Sequence, residues 1–360
     1  IDEINLSIER LKNRIPLSNL VFFTRQLATM YSAGLTLERS IHGLAAEEKH
    51  TRFKKVLVNV SENIRKGLSL SESMQKHPGV FSNLYIALTK AGEVSGNLNV
   101  IMDQLATYLE NLDDVRRKVR SAMTYPIFMV IFLFAMMASM FIWIIPKFSE
   151  VYAQLGANLP AATQAMVAIS EWISYNFGKI MFTIFSVIFG IWIISKTRRG
   201  GYVIDTIKLN SPVFGALVEQ SILNKFSKTA GILIGAGVPV IESMHLMKKI
   251  VENRVFENAI EDATEYIRDG FNISTALRRT ERFPAILLQL TATGEETGEL
   301  DSLLDNASDY YYKQVNALVE RMTTLIEPIL ILLVGLVIAV MVIVTYLPVF
   351  YLGSALQQGL

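Results

Sequence analysis

Two short segments of the chain hold acidic residues in a setting suited to specific hydrogen bonding, Gly92-Glu93-Val94-Ser95-Gly96 and Gly294-Glu295-Glu296-Thr297-Gly298. Both read Gly-Glu-x-x-Gly. The flanking glycines permit backbone angles closed to other residues. Each carboxylate is then expected to accept hydrogen bonds from the free N–H groups of the next helix, where negative charge is favoured; the other reading is direct contact with a partner. A second cluster, Arg116, Arg117, Lys118 and Arg120, suits either an anchor to anionic lipid or a protein docking point. Glu327 stands beside Pro328 at the edge of an apolar run, as Tyr125 stands beside Pro126 at the edge of another. A charge near hydrocarbon is costly and tends to be functional, although Glu327 could equally rest among headgroups.

The search for catalytic chemistry comes back empty. The chain has no cysteine, which excludes thiolate nucleophiles, disulfides and cysteine metal sites. No phosphate-binding Gly-x-x-x-x-Gly-Lys-Ser/Thr, no His-Glu-x-x-His and no Gly-x-Ser-x-Gly occurs, so no catalytic residue and no cofactor are expected. His42 and His245 lack a second His or a carboxylate at ligand spacing, and no metal is expected. The methionines of Met129–Met140 read as packing surface. A net charge of +1 gives no argument for nucleic acid.

The elements that position these residues are helical. Of 360 residues 51% are hydrophobic, and the excess lies in three runs. Ile127–Ile145 and Ile329–Val349 are uncharged and each is near the ~20 residues that cross a bilayer. Ile180–Ser195 is shorter and is extended by Trp172, Phe177 and Trp192, with Lys179 able to snorkel. Basic residues precede the first and third runs and follow the second: Arg116 to Arg120, then Lys196, Arg198 and Arg199, then Lys313 and Arg321. The positive-inside bias therefore places the segments up to about Tyr125 and from about Lys196 to Glu327 in the cytoplasm. Ile1–Arg14 alternates charges with single apolar residues and carries no cleavable signal peptide pattern.

The two charged segments are copies. A shift of 203 matches Phe23 with Phe226, Ala33-Gly34 with Ala236-Gly237, Phe53 with Phe256, Gly67 with Gly270 and Ser71 with Ser274. After one deletion a shift of 202 matches Phe81 with Phe283, Gly92-Glu93 with Gly294-Glu295, Tyr108 with Tyr310 and Pro126 with Pro328. Such a sustained register marks a true repeat. Copy 1 is expected to contain helices Leu17–Ser32, Leu37–Glu48, Arg52–Arg65, Leu70–Lys76, Leu84–Ala91 and a long one from about Leu98, with breaks at glycine and proline. Ser18 and Ser71 are the expected N-caps. The resulting fold class is all-α: a polytopic membrane protein with two homologous cytoplasmic helical bundles and three transmembrane helices. Its expected layout is an N-terminal linker (1–16), copy 1 (17–125), a span (126–146), an extracytoplasmic loop (147–175), a span (176–196), linker plus copy 2 (197–327), a span (328–348) and an extracytoplasmic tail (349–360). Each copy is followed by one crossing, and the unrepeated middle span returns the chain, so the copies lie parallel in the membrane.

With these motifs in place, the chain resembles the inner-membrane platform proteins of type IV pilus and type II secretion machines, the PilC/GspF family. The resemblance covers residues from about Leu17 to Gly353. It rests on the duplication, on the Gly-Glu-x-x-Gly segments, on Tyr125-Pro126 and Glu327-Pro328, and on Leu347-Pro348-Val349-Phe350. Family members carry a further N-terminal segment that is missing here. The resemblance implies a non-catalytic bacterial inner-membrane platform that couples a cytoplasmic hexameric ATPase, for assembly and in some machines retraction, to insertion of pilin subunits. The partners implied are that ATPase, pilin or pseudopilin transmembrane helices, other inner-membrane assembly proteins, the lipid bilayer and further copies of the chain. The competing readings are a small membrane transporter, disfavoured by three spans without midplane charge, and another kind of membrane scaffold.

Overall fold

The computed structural model describes residues 15–154, 161–212 and 214–358. Most of the expected N-terminal linker, the middle of the expected 147–175 loop and the last two residues of the tail lie outside these. The described residues form helices and no strand. Copy 1 contains α1 (Leu17–Ser32), α2 (Leu37–Glu47), α3 (Thr51–Arg65), α4 (Leu70–Gln75), α5 (Asn83–Ser95) and α6 (Leu98–Ser139). A π-helical turn (Met140–Ile144), α7 (Ile145–Gln154), α8 (Ala161–Lys196) and α9 (Arg198–Leu209) follow. Copy 2 repeats the first set as α10 (Gly215–Gly235), α11 (Val240–Ile250), α12 (Arg254–Arg268), α13 (Ile273–Arg279), α14 (Ala285–Thr297) and α15 (Leu300–Gln358).

The chain divides into two compact units, Ile1–Arg117 with Asp205–Leu318, and Lys118–Ile204 with Val319–Leu360. The first unit therefore holds both copies. Each copy is centred on three aromatic rings at matched repeat positions. Phe23 meets Phe53 edge-on with ring centroids 5.6 Å apart and Phe81 at 6.3 Å. Phe283 stands 5.0 Å from Phe226 and 5.7 Å from Phe256. Phe23, Phe53 and Phe81 are essentially buried, and truncating such a ring typically costs ~3–5 kcal/mol. The repeat matches seen in the sequence are thus the core of each bundle.

Local chemistry sets the helix starts. Thr36 accepts from Arg39 N–H, and Ser82 accepts from Tyr85 N–H at 3.2 Å. Ser69 and Glu72 form a reciprocal capping box at the start of α4, satisfying two of the amides that a helix leaves open. This corrects two expectations. Ser18 lies inside α1, whose N-cap is Pro16, and Ser71 leaves the capping of α4 to Ser69 because its own hydroxyl is turned to Glu93. α5 also continues through Gly92 to Ser95 rather than ending at Ala91.

Among the described residues, three helices are long and apolar enough to cross a membrane, within α6, α8 and α15. Their large apolar side chains are widely exposed, as at Phe182 and Leu332. Pro126 and Pro328 lie inside α6 and α15. A proline ring removes one ladder hydrogen bond, here the bond otherwise received by the carbonyls of Ala122 and Thr324. Met140, Ile145 and Val344 bury one another in a small cluster with Phe141, Val167 and Met341. The loop expected over 147–175 is largely helical, as α7 and the first turns of α8. Pro146 does not stop the helix because it falls in the first turn after the π-helical turn, where a missing N–H is tolerated. The expected tail likewise continues α15 to Gln358.

The two cores differ in buried polar detail, most clearly where Thr24 and Tyr85 meet. In copy 1 the Thr24 hydroxyl lies 3.0 Å from the Tyr85 hydroxyl, and burial pushes the Tyr85 phenol up, so it stays protonated. In copy 2 the corresponding residues are Ser227 and Leu287, and the buried Ser227 hydroxyl has no hydrogen-bond partner among the described residues. A buried polar group left unsatisfied costs ~1–3 kcal/mol. Ser227→Ala is therefore expected to hold or raise the thermal unfolding midpoint of the solubilised chain, whereas Tyr85→Phe lowers it, because it removes a satisfied buried hydrogen bond and leaves Thr24 with only its bond to the Leu20 carbonyl at 2.7 Å. A lower midpoint for Ser227→Ala would contradict the assignment.

Candidate functional site

The residues singled out in the two Gly-Glu-x-x-Gly segments act as one device, used once per copy. Glu93 points from α5 to the start of α4: Oε1 accepts the Leu70 N–H at 2.5 Å, and Oε2 accepts the Ser71 N–H at 3.2 Å and the Ser71 hydroxyl at 2.5 Å. Glu295 points from α14 to the start of α13, where Oε1 accepts the Ile273 N–H and Oε2 the Ser274 N–H at 3.0 Å. The helix each carboxylate holds begins 21–23 residues before it in the chain, and is not the helix that follows. Glu93 lies in the last turn of α5, and both of its carboxylate oxygens are taken up by the start of α4. The first amides of a helix have no internal partner, and a carboxylate meets both the hydrogen-bond and the dipole requirement.

The two glycines of each segment do different things. Gly96 and Gly298 end α5 and α14 with φ of +74° and +77°, a left-handed conformation that favours glycine. Gly92 and Gly294 are helical and are needed for space. A Cβ on Gly92 would stand 3.0 Å from the Leu98 Cα, and one on Gly294 would stand 2.7 Å from the Leu300 Cα. The segment thus folds α5 tightly against α6, and α14 against α15.

A second pair of contacts, not singled out from the sequence, ties the first helix of each copy to its last. Arg25 donates from Nε and Nη2 to the two oxygens of Glu110, each at 2.7 Å, from Nη2 to the Thr107 hydroxyl at 2.9 Å, and from Nη1 to Asp103. The Asp103, Thr107 and Glu110 spacing puts all three on one face of α6. At the same repeat positions in copy 2, Lys228 pairs with Asp305. The signal was present in the sequence, since Arg25 matches Lys228 at the 203 shift and Asp103 matches Asp305 at the 202 shift.

The copies meet in the first unit, where α5 packs on α10 and α11. Tyr312 of α15 donates from its hydroxyl to Asp114 of α6 at 2.8 Å. A cleft of about 650 Å³ opens along this seam, lined by cationic Arg116, Lys225, Lys228 and Lys249 and by the carboxylate of Glu252. Lys225 is paired with Glu252 at 2.6 Å. Of the basic cluster, Arg116 reaches this cleft, Arg117 pairs with Asp113 one turn earlier, and Lys118 and Arg120 are exposed on α6. Tyr125, Glu327 and Pro328 are exposed and Pro126 is half-buried, all within the second unit. His42 and His245 are exposed, and His245 Nε2 lies 2.9 Å from the Arg268 guanidinium. The structure therefore joins Arg116 to the seam.

Comparison with known proteins finds the same duplication. The family model for type II secretion system (T2SS), protein F matches residues 23–146 and again 226–348. A type IV pilus assembly protein PilC from Myxococcus xanthus is 34% identical over 339 residues, covering 94% of this chain and 81% of that protein. A PilC from Thermus thermophilus is 34% identical over 344 residues, covering 95% and 84%. A type II secretion system protein F from Pseudomonas aeruginosa is 29% identical over 342 residues, covering 93% and 83%.

Removing either carboxylate strands two backbone amides at a helix start. Glu93→Ala and Glu295→Ala are each expected to destabilise the first unit by ~1–3 kcal/mol. Glu93→Gln should lose less, because the amide oxygen still accepts a bond. Unfolding followed by circular dichroism on the solubilised chain checks this; an unchanged midpoint for Glu93→Ala would show that the bonds add no stability.

Proposed function

Because the chain belongs to the type II secretion system protein F family, we propose that it is the non-catalytic platform on which a type IV pilus or a type II secretion pseudopilus is assembled in the bacterial inner membrane. The observation that carries this reading is the repeated family domain, each copy ending in a helix that continues into an apolar run. The basic flanks support cytoplasmic placement of both bundles. In this reading the bundles meet a hexameric assembly ATPase, the apolar helices meet pilin transmembrane helices, and copies of the chain associate with one another. The chain itself supplies contacts and motion, and the ATPase supplies the chemistry.

The continuity of α6 from Leu98 to Ser139 and of α15 from Leu300 to Gln358 supports a mechanical role. A helix without a break transmits rotation or thrust along its axis, so a displacement imposed on a bundle by the ATPase would reach the apolar run that follows it. Inserting Gly-Ser-Gly after Ser121 or after Thr324 is expected to leave membrane insertion and ATPase association intact while abolishing pilus or pseudopilus assembly. Normal assembly with both insertions present would make the helices passive tethers.

The topology has its own test. A reporter fused after Gln154 is expected to be exported, and one fused after Glu242 to remain in the cytoplasm. The reverse pattern would overturn the orientation.

A further inference from the structure

The cleft along the seam owes its charge to positions at which the copies differ. Two of its cations, Lys225 and Lys249, stand where copy 1 has Phe22 and Ala46 at the 203 shift. Arg116 of copy 1 stands where copy 2 has Leu318 at the 202 shift. This part of the basic lining is not a shared feature of the repeat. It belongs to the cleft.

The pair at its edge is built in an unusual way. The Lys225 side chain is only 23% exposed, and an ammonium withdrawn from water needs an anion beside it. Glu252 supplies one at 2.6 Å, yet its own side chain is 72% exposed. It does so from a left-handed backbone with φ of +51°, uncommon for any residue but glycine. The counterpart Lys49 in copy 1 has no such angle. Backbone strain of this kind gathers where ligands are held or released. A pair with one member so exposed contributes little, so another anion can take the place of Glu252 on Lys225. Lys225 and Glu252 also line an adjoining groove of about 310 Å³, which gives the displaced side chain room to turn.

Further groups in the cleft suit an anion. Lys228 is held by Asp305, but neither Arg116 nor Lys249 has an ion pair among the described residues. Tyr108 is buried, and burial pushes its phenol up to about 12, so it stays a donor. Leu109, Leu112 and Val115 of α6 and Val315 of α15 add an apolar wall. At about 650 Å³, an apolar cavity with a few polar groups has the form of a small-ligand site.

We propose that the seam cleft binds a phosphate group carried on an apolar or aromatic body. The phosphate displaces Glu252 from Lys225 and draws on Arg116 and Lys249, while the body lies along the leucine and valine wall. Phosphate suits the lining better than a carboxylate does, because its additional oxygen can engage a third donor and a guanidinium matches its geometry. Two sources carry this chemistry, a soluble nucleotide and an acidic phospholipid.

Equilibrium binding to the full chain in a neutral detergent tests the site with two probes, ADP and short-chain phosphatidylglycerol. At least one is expected to bind saturably, and which one does so distinguishes the soluble source from the lipid source. Lys225→Ala and Lys249→Ala should each weaken that binding about tenfold. Lys55→Ala, at an exposed lysine outside the cleft, should leave it unchanged. Glu252→Gln removes the competing carboxylate and should tighten binding several-fold, a gain that a folding defect cannot mimic. Saturable binding of neither probe would overturn the proposal, as would equal or weaker binding by Glu252→Gln. So would an equal loss in Lys55→Ala, the sign of diffuse attraction to a basic surface. None of these measurements depends on pilus or pseudopilus assembly, so their failure would leave the platform reading standing.

Discussion

The bundles depend on a carboxylate set against the start of a short helix. α4 and α13 have 6 and 7 residues, too short to be stable alone, since helix nucleation is unfavourable and isolated helices of this length do not persist in water. Glu93 and Glu295 join them to the ends of α5 and α14, the helices that turn directly into α6 and α15. In copy 1 the same α5 forms the surface that meets copy 2. A single side chain therefore links the short helix, the glycine turn, the long helix and the seam between copies. Replacing this contact by apolar packing would leave the amides of Leu70 and Ser71 open at a half-buried site. For that reason a carboxylate suits the position better than a leucine of similar size.

Duplication lets each copy serve as a control for the other. What both retain is backbone geometry: the left-handed glycines at 34, 67 and 96 recur at 237, 270 and 298, and the aromatic cores superpose in sequence register. What diverges is polar detail. The bidentate Arg25–Glu110 contact of copy 1 has no counterpart in copy 2, where Glu110 has become Tyr312 and its hydroxyl reaches across to Asp114 of copy 1. A contact internal to one copy has been exchanged for one between copies, and it is made at the seam. Asymmetry of this kind is expected where two halves of one chain meet through different surfaces.

Much of this was legible in the sequence. The helices of copy 1 fall within a few residues of their expected ends, because glycine, proline and the apolar period punctuate them strongly. The repeat register matched Phe23, Phe53 and Phe81 with Phe226, Phe256 and Phe283, and these rings are the centre of each bundle. Three things were not legible. Which helix Glu93 serves depends on how α4 and α5 pack, and local spacing suggests the wrong neighbour. Gly92 looked like a helix stop, but its role is to let Leu98 approach, a constraint set by tertiary contact. Pro146 looked like the end of a span, but a five-residue π-helical turn shifts the hydrogen-bond ladder just before it, so the helix goes on to Gln154. In each case the deciding partner is distant in sequence or lies in backbone geometry that residue type does not announce.

The odd number of apolar helices follows from the same duplication. A bundle that ends in a long apolar helix can be repeated beside the first only if the intervening chain returns to it, and α8 has no counterpart elsewhere in the repeat. Each long helix leaves its bundle at the same point of the repeat, directly after the Gly-Glu-x-x-Gly turn. The two copies share one core in the first unit. Burial of both copies in one unit thus requires the chain to return after α6 and α7, and α8 and α9 are the stretch that leads into the second Glu-stapled bundle.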